Sequence, residues 1–434
     1  MPVYRSMFLI LCLALVAALQ GCRSDVSGKT AELTSLAPCA IALTPQNNEE
    51  RPEVRRIDLE ITRLQQIIKK ETDPKAHLEQ LGWTFIEKAR LSYDPGYYKI
   101  AEQCAICLDA QQQKSNEAML LRGHILHSLH RFKEAEGVAR ELVARRGRAF
   151  DYGLLGDVLM EQGKLSEAST AYQKMMDLKP GPQAYTRAAH IRWLKGDLKG
   201  ASQLMMMAAQ AAGQGDPESA AWAYTRAALY QLQLGEKKKA NDACDAALTL
   251  QRDYAPGLLA CGRVMMADGR DKAALALFQR AAQLNPLPDY QWTLADALRA
   301  ANREEEARKV ESQIRTRGEA DDPRTYSLYL ATRGEEVAAA LKLAESEQQQ
   351  RSDVFTYDAI AWALAATGKF DEAHQMMQRA LTEGTPDARL FFHATVIAAK
   401  SGHLDEARRY FKKAREAEHL LLPSEKDRLR QIKI

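Results

Sequence analysis

Residues 152–180 read YGLLGDVLMEQGKLSEASTAYQKMMDLKP, and residues 258–286 read LLACGRVMMADGRDKAALALFQRAAQLNP. Laid over one another, Leu155 falls on Cys261, Gly156 on Gly262, Leu159 on Met265, Gly163 on Gly269, Ala168 on Ala274, Tyr172 on Phe278 and Pro180 on Pro286. Apolar residues return at helical spacing on both sides of the glycine, so each stretch predicts two helices joined by a tight turn. Ala, Leu, Gln, Glu, Lys and Arg dominate the surrounding sequence, and these lose least freedom in a helix. The fold class expected is all-α.

The unit repeats along the chain. Its second-helix alanine recurs at Ala135, Ala168, Ala201, Ala240, Ala274, Ala307, Ala339, Ala373 and Ala407, in steps of about 33 or 34 residues with one longer step. That step coincides with Gly213, Gly215, Asp216 and Pro217, an insert expected to widen one connection between helices. Turn residues keep the same beat at Gly163, Gly196, Gly235, Gly269, Asn302, Gly334, Gly368 and Gly402. The pattern resembles the tetratricopeptide repeat, in which a large residue, a small residue, a turn glycine, an alanine, an aromatic and a closing proline recur about every 34 residues.

The resemblance covers residues 53–422 and implies an α-solenoid, a right-handed superhelix of about ten helix-turn-helix units. Small residues such as Gly156 and Gly262 let the paired helices approach, while Tyr172, Phe278 and Phe411 fill the gap to the next pair. Each pair alone would leave an apolar face wet, so units stack and the ends need polar caps. Glu53 to Lys70 supplies an opening helix, and Pro423 to Ile434, rich in Lys and Arg, a closing one. The units near Ala307 and Ala339 lack the aromatic and the proline, so their limits are least defined.

Bulk properties agree with an array. At 434 residues the chain exceeds one ordinary core. With 46% hydrophobic residues, 27% charged and a formal net charge of +3, nothing points to nucleic acid.

The first residues speak to destination. Arg5 precedes an apolar run from Met7 to Leu19, too short to span a bilayer, which reads as a secretory signal over residues 1–21. Leu19-Gln20-Gly21-Cys22 resembles a bacterial lipobox, although Gln20 stands where a small residue is usual. The resemblance implies that Cys22 carries lipid, anchors the chain to a membrane and begins the mature protein. By similarity to enteric lipoproteins, Arg23 beside the anchor favours the outer membrane. Residues 22–52 are polar apart from Ile41 to Leu43 and read as a flexible tether in which Cys39 has no evident partner.

In the resembled family the first helix of each pair lines a concave groove. That placement gives an inward row of His124, Asp157, His190, Leu229, Arg263, Asp296, Leu328, Trp362 and Val396. One turn further on, it gives His127, Met160, Trp193, Leu232, Met266 and Arg299 before small residues follow. Aromatic and arginine anchors favour interfaces, so Trp193, Trp222, Arg263, Trp292, Asp296, Arg299, Phe355, Trp362 and Phe392 join His124, Asp157 and His190 as candidate peptide contacts. The competing reading is that several merely pack against facing second helices. The family's clamp for a C-terminal carboxylate is not matched by these rows.

Candidate chemistry is sparse. His124, His127 and His130 share spacing that puts the first two on one face, but neighbouring helices about 8 to 10 Å apart keep His190 beyond a shared ion. A hydrogen-bonded row of His and Asp is the expectation, with a metal-binding or enzymatic use of this first third as the alternative. Cys104 and Cys107, three residues apart on one helix, are poorly placed to bond each other and read as core, with the disulfide alternative left open in an exported chain. Cys244 and Cys261 fall on packing positions. The run Arg140, Arg145, Arg146 and Arg148 reads as a solvated face, with lipid headgroups or an acidic partner as the alternative. No phosphate loop, paired carboxylates or metal cluster stands out, so no cofactor and no catalysis are expected. The sequence points to a membrane-tethered, non-enzymatic scaffold or assembly factor holding a protein or peptide of the cell envelope, with self-association of the array a third reading.

Overall fold

A computed structural model describes residues 39–45, 51–111 and 115–434. The expected signal segment and Cys22 lie outside the described residues. Twenty-two α-helices and two short 3-10 turns make up the described chain, with no strand among the described residues. Helix α1 (Pro52–Ile68) stands first, and ten pairs follow: α2 (Lys75–Ser92) with α3 (Gly96–Gln111), α4 (Asn116–Ser128) with α5 (Phe132–Arg145), α6 (Ala149–Glu161) with α7 (Leu165–Leu178), α8 (Pro182–Leu194) with α9 (Leu198–Ala212), and α10 (Pro217–Gln233) with α11 (Lys237–Leu250). The second half holds α12 (Ala255–Ala267) with α13 (Asp271–Leu284), α14 (Pro288–Ala300) with α15 (Glu304–Asp321), α16 (Pro323–Arg333) with α17 (Val337–Gln348), α18 (Val354–Ala366) with α19 (Phe370–Leu381), and α20 (Ala388–Lys400) with α21 (Leu404–Glu416). Helix α22 (Pro423–Gln431) closes the chain. Each helix packs on its partner and on the next pair, as a solenoid requires.

Local chemistry places the helix ends. Asp216, Asp322, Asp353 and Asp387 each accept a backbone N–H in the first turn of the helix they precede. Prolines occupy the first turns of α8, α10, α12, α14 and α16, where their missing N–H has no partner to lose. Gly163 ends α6 at φ +73°, and Asn302 and His130 hold the same left-handed conformation at the corresponding turns. The insert at 211–218 is absorbed by the 3-10 turn Gly213–Gly215 and by long flanking helices.

Packing corrects one expectation. A methyl on Gly156 would collide with the ring of Tyr172, and one on Gly262 with that of Phe278. The aromatic of the second helix therefore seats on the glycine of its own first helix.

The far end of the expected tether is also different. Residues 39–45 fold against α1 and α3: Cys39 and Ala42 are fully buried, Gln65 Nε2 donates to Ala42 O at 2.8 Å and Thr44 O at 3.0 Å, and Cys39 forms a disulfide with Cys107. A short apolar patch that cannot order itself is held by that covalent link and by a buried amide. Cys244 and Cys261 are buried as expected but bonded to each other, joining α11 to α12 across a repeat boundary.

The superhelix winds far enough to meet itself. Ser352 N donates to Glu161 O at 3.3 Å and Arg351 pairs with Glu161, 190 residues away. Thr385 Oγ1 donates to Leu194 O at 2.7 Å over 191 residues, and His419 Nε2 lies 3.1 Å from Leu232 O over 187. Three successive turns of the early repeats thus touch three successive connections of the late ones, and the expected trough is walled on its far side.

Candidate functional site

Inside this winding lies a cavity of about 1070 Å³. Its near wall includes the inward faces of six first helices: His127 from α4, Asp157 and Met160 from α6, His190 and Trp193 from α8, Leu229 and Leu232 from α10, Arg263 and Met266 from α12, and Leu328 from α16. These are positions that the repeat register assigns to the concave side. Residues three before that row, Arg187 and Arg226, also face in, because one helical face includes i−3. The far wall comes from the starts of α18 and α20, with Asp353, Phe355, Asp387 and Arg389.

Trp193 is the centre of an aromatic cluster. His190, Tyr230 and Phe355 stack on it with centroids 5.5, 5.9 and 5.8 Å away, and the Arg226 guanidinium lies 5.7 Å from its ring. Its indole N–H donates to Gln233 Oε1 at 2.9 Å. The stack joins α8, α10 and α18, two of which are neighbours and one of which comes from the far wall. Trp222, 37% exposed, stands at the cavity edge.

Ion pairs line the space. Arg187 grips Asp157 through two hydrogen bonds of 2.7 and 2.6 Å, and Tyr172 donates to the same carboxylate at 2.8 Å. Burial opposes the charge on Asp157, but Arg187 prevails and holds its carboxyl below the usual range. Arg263 pairs with Asp289 at 3.0 Å, Arg324 with Asp353 at 3.1 Å, and Arg389 with Glu425 at 2.7 Å. Arg226 and Arg379 lie over the rings of Tyr230 and Tyr357. Seven arginines and eight carboxylates among the described residues line the cavity, so its charge is mixed.

The expected hydrogen-bonded row of His and Asp is not formed, since Asp157 is taken by Arg187 and Tyr172. Burial pushes His124 down to about 3 and His190 to about 3, with Arg187 and Arg226 respectively adding to the effect, so both are neutral at ordinary pH. His124 meets Trp83 edge-on, and His130 serves as a turn residue. Among the described residues no three His, Cys, Asp or Glu are grouped to hold a metal.

The remaining candidates scatter. Trp362 is buried, stacked 4.0 Å from His393 and hydrogen-bonded to Thr332 Oγ1 at 2.9 Å; Phe392 beside it is 1% exposed. Trp292 is buried beneath Arg389, 4.7 Å from its ring. These three are core, because the late repeats present helix starts and not mid-helix positions to the cavity. Arg299 is drawn away by Glu311 and Glu304, and Asp296 accepts the Ser424 N–H at 3.0 Å. Of the basic run, Arg140 pairs with Glu136 and Glu167, Arg145 with Glu141, and Arg146 with the buried Asp151.

Models of the tetratricopeptide repeat family match residues 152–182 and 359–419. No curated protein matches the chain. Among solved structures, PilF of Pseudomonas aeruginosa is similar at 14% identity and TM-score 0.40, over 50% of this chain and 97% of that one. A human IFIT1 dimer with m7Gppp-AAAA is similar at 11% identity and TM-score 0.48, over 89% of this chain and 95% of that one. The two matched segments coincide with α6–α7 and with α18 to α21, and the pairs between them share a left-handed turn, glycine except at Asn302, and a buried second-helix alanine: the chain is a tetratricopeptide repeat protein.

Proposed function

We propose that this protein is a non-enzymatic scaffold of the bacterial cell envelope, tethered by lipid on Cys22 and holding a protein or peptide partner in its inner cavity. The observation that carries the reading is the cavity wall itself, with an aromatic cluster around Trp193, the half-open Trp222 and a balanced set of arginines and carboxylates. A wall of that kind suits a mixed-charge polypeptide better than the uniform charge of a nucleic acid. Export is supported by two disulfides, which persist in oxidising compartments, and by the lipobox-like Leu19 to Cys22. Arg23 next to the anchor favours the outer membrane.

Photo-crosslinking residues placed at Trp222 and Arg379, which line the cavity, and at the exposed Lys239 outside it test the reading in the native host. A common partner should cross-link from the first two and not from Lys239. Labelling from all three alike, or from Lys239 alone, would remove the cavity as the binding surface. Mass spectrometry of the purified mature protein should find a diacylglyceryl group on Cys22, and a Cys22→Ser chain should leave the membrane fraction.

A further inference from the structure

The inner wall is already in use at one end. After α21 the chain covers the last repeat, where Leu421, Leu422 and Leu429 join the core that holds Ala414 and Ile397, and it also reaches across to the early repeats. His419 meets the carbonyl of Leu232 at the end of α10, which also accepts the Gly235 N–H, Leu420 packs with the Leu232 cluster, and Leu421 and Leu422 are buried. At the start of α22 the Ser424 N–H donates to Asp296 at 3.0 Å and Glu425 takes Arg389 at 2.7 Å. Leu232 and Asp296 both belong to the rows that the repeat register turns toward a partner, and the segment also lines the cavity. What the wall recognises there is an apolar stretch entering the first turn of a helix: carbonyl and carboxylate acceptors for its donors, and one guanidinium for its carboxylate.

The segment owes its form to the surfaces it lies on, with Leu421 and Leu422 in the core of the late repeats. Helix α22 has nine residues, of which Glu425 and Leu429 are buried, whereas α14 on the wall beneath it buries ten. So short a helix does not persist alone, and it keeps its shape only through these contacts.

We propose that residues 418–425 are a resident placeholder, and that the partner of this scaffold presents the same chemistry, an apolar segment running into a helix whose first turn bears a carboxylate, and docks by displacing them. The inference rests on the reading of the cavity as a binding surface and adds the partner's recognition element and the step that admits it.

A labelled synthetic peptide of residues 417–434, followed by fluorescence anisotropy, tests it on the full chain. Glu425→Ala with Leu429→Ala should release the resident segment, and the peptide should then bind at least tenfold more tightly than to the unaltered protein. Adding Arg389→Ala to the released form should cancel that gain. Equal binding to both forms, no binding to a released form whose circular dichroism and melting remain native-like, or concentration-dependent dimerisation of the released form in place of peptide binding would each overturn the proposal. Should the released form not fold, hydrogen exchange on the unaltered chain decides. Amides of 424–431 exchanging at least tenfold faster than those of α20 support a displaceable segment, and equal protection marks a fixed part of the core. Cavity cross-links that persist while the peptide fails would leave the scaffold reading standing and remove only this one.

Discussion

At the scale of single residues, Gly163 and Gly269 look alike in sequence, at the same point of the same unit, yet the structure asks different things of them. Both have positive φ, +73° and +74°, but a methyl on Gly163 would run into the backbone carbonyl of Ser352 while one on Gly269 meets nothing. Gly269→Ala should therefore cost about 1 kcal/mol for the left-handed backbone alone. Gly163→Ala should cost about 3 kcal/mol, because an unyielding backbone contact is added. Urea unfolding of the two variants side by side checks this, and equal losses would show that the turns do not touch. The turn residues could be read from spacing, His130 included in principle, since it lies 33 residues before Gly163; the collision could not, because its other half lies about 190 residues away. Protons matter here too. His124 and His190 bind a proton near 3 when folded and near 6.5 when unfolded, so the unfolded chain takes up more protons between those values. Stability contributed by the neutral rings is complete above about pH 6.5 and is lost as pH falls toward 3, by at most about 1.4 kcal/mol per pH unit for each histidine. Replacing both with Gln should flatten the dependence of stability on pH between about 6.5 and 4.5, and an unchanged slope would mean that the rings are already solvated.

At the scale of elements, the helices, their pairing and the turn between them were legible because each is written within about 34 residues, in Gly156 and Tyr172 or Gly262 and Phe278. Covalent ties across greater distance were not. That Cys104 and Cys107 do not bond each other follows from one helix turn, but Cys39 reaches Cys107 from 68 residues away and carries no local mark of it. The two disulfides close loops of different length, 68 and 17 residues, and loop closure in the unfolded chain makes the longer one worth about 1 kcal/mol more. Cys39→Ser should raise hydrogen exchange in α1 to α3, and Cys244→Ser should act at the junction of α11 and α12 with the smaller effect. Cys104 is fully buried, and burial pushes its thiol well above the ordinary value, so it should resist alkylation until the first pairs unfold.

At the scale of the whole molecule, the near wall of the cavity was readable from the repeat register, as Asp157, His190, Trp193 and Arg263 attest. The far wall was not, because periodicity describes neighbours and says nothing of how far a superhelix turns before it meets itself. The closing contacts have a measurable role. Thr385→Val together with Arg351→Ala removes a hydrogen bond to Leu194 and the pairing with Glu161, and should enlarge the radius of gyration in small-angle scattering with helix content unchanged. A constant radius would assign closure to the contacts that remain, the aromatic cluster around Trp193, the Ser352 N–H to Glu161 and His419 on Leu232. Open arrays of this kind are free to lengthen or shorten by whole units, since each touches only its neighbours. This one has fixed its own census. Insert one unit between Gly163 and Ser352, and Glu161 faces a stranger, Leu194 loses Thr385, and the carbonyl of Leu232 loses His419, all at one stroke. Like an arch cut for a single span, it admits different stones but not a different number of them.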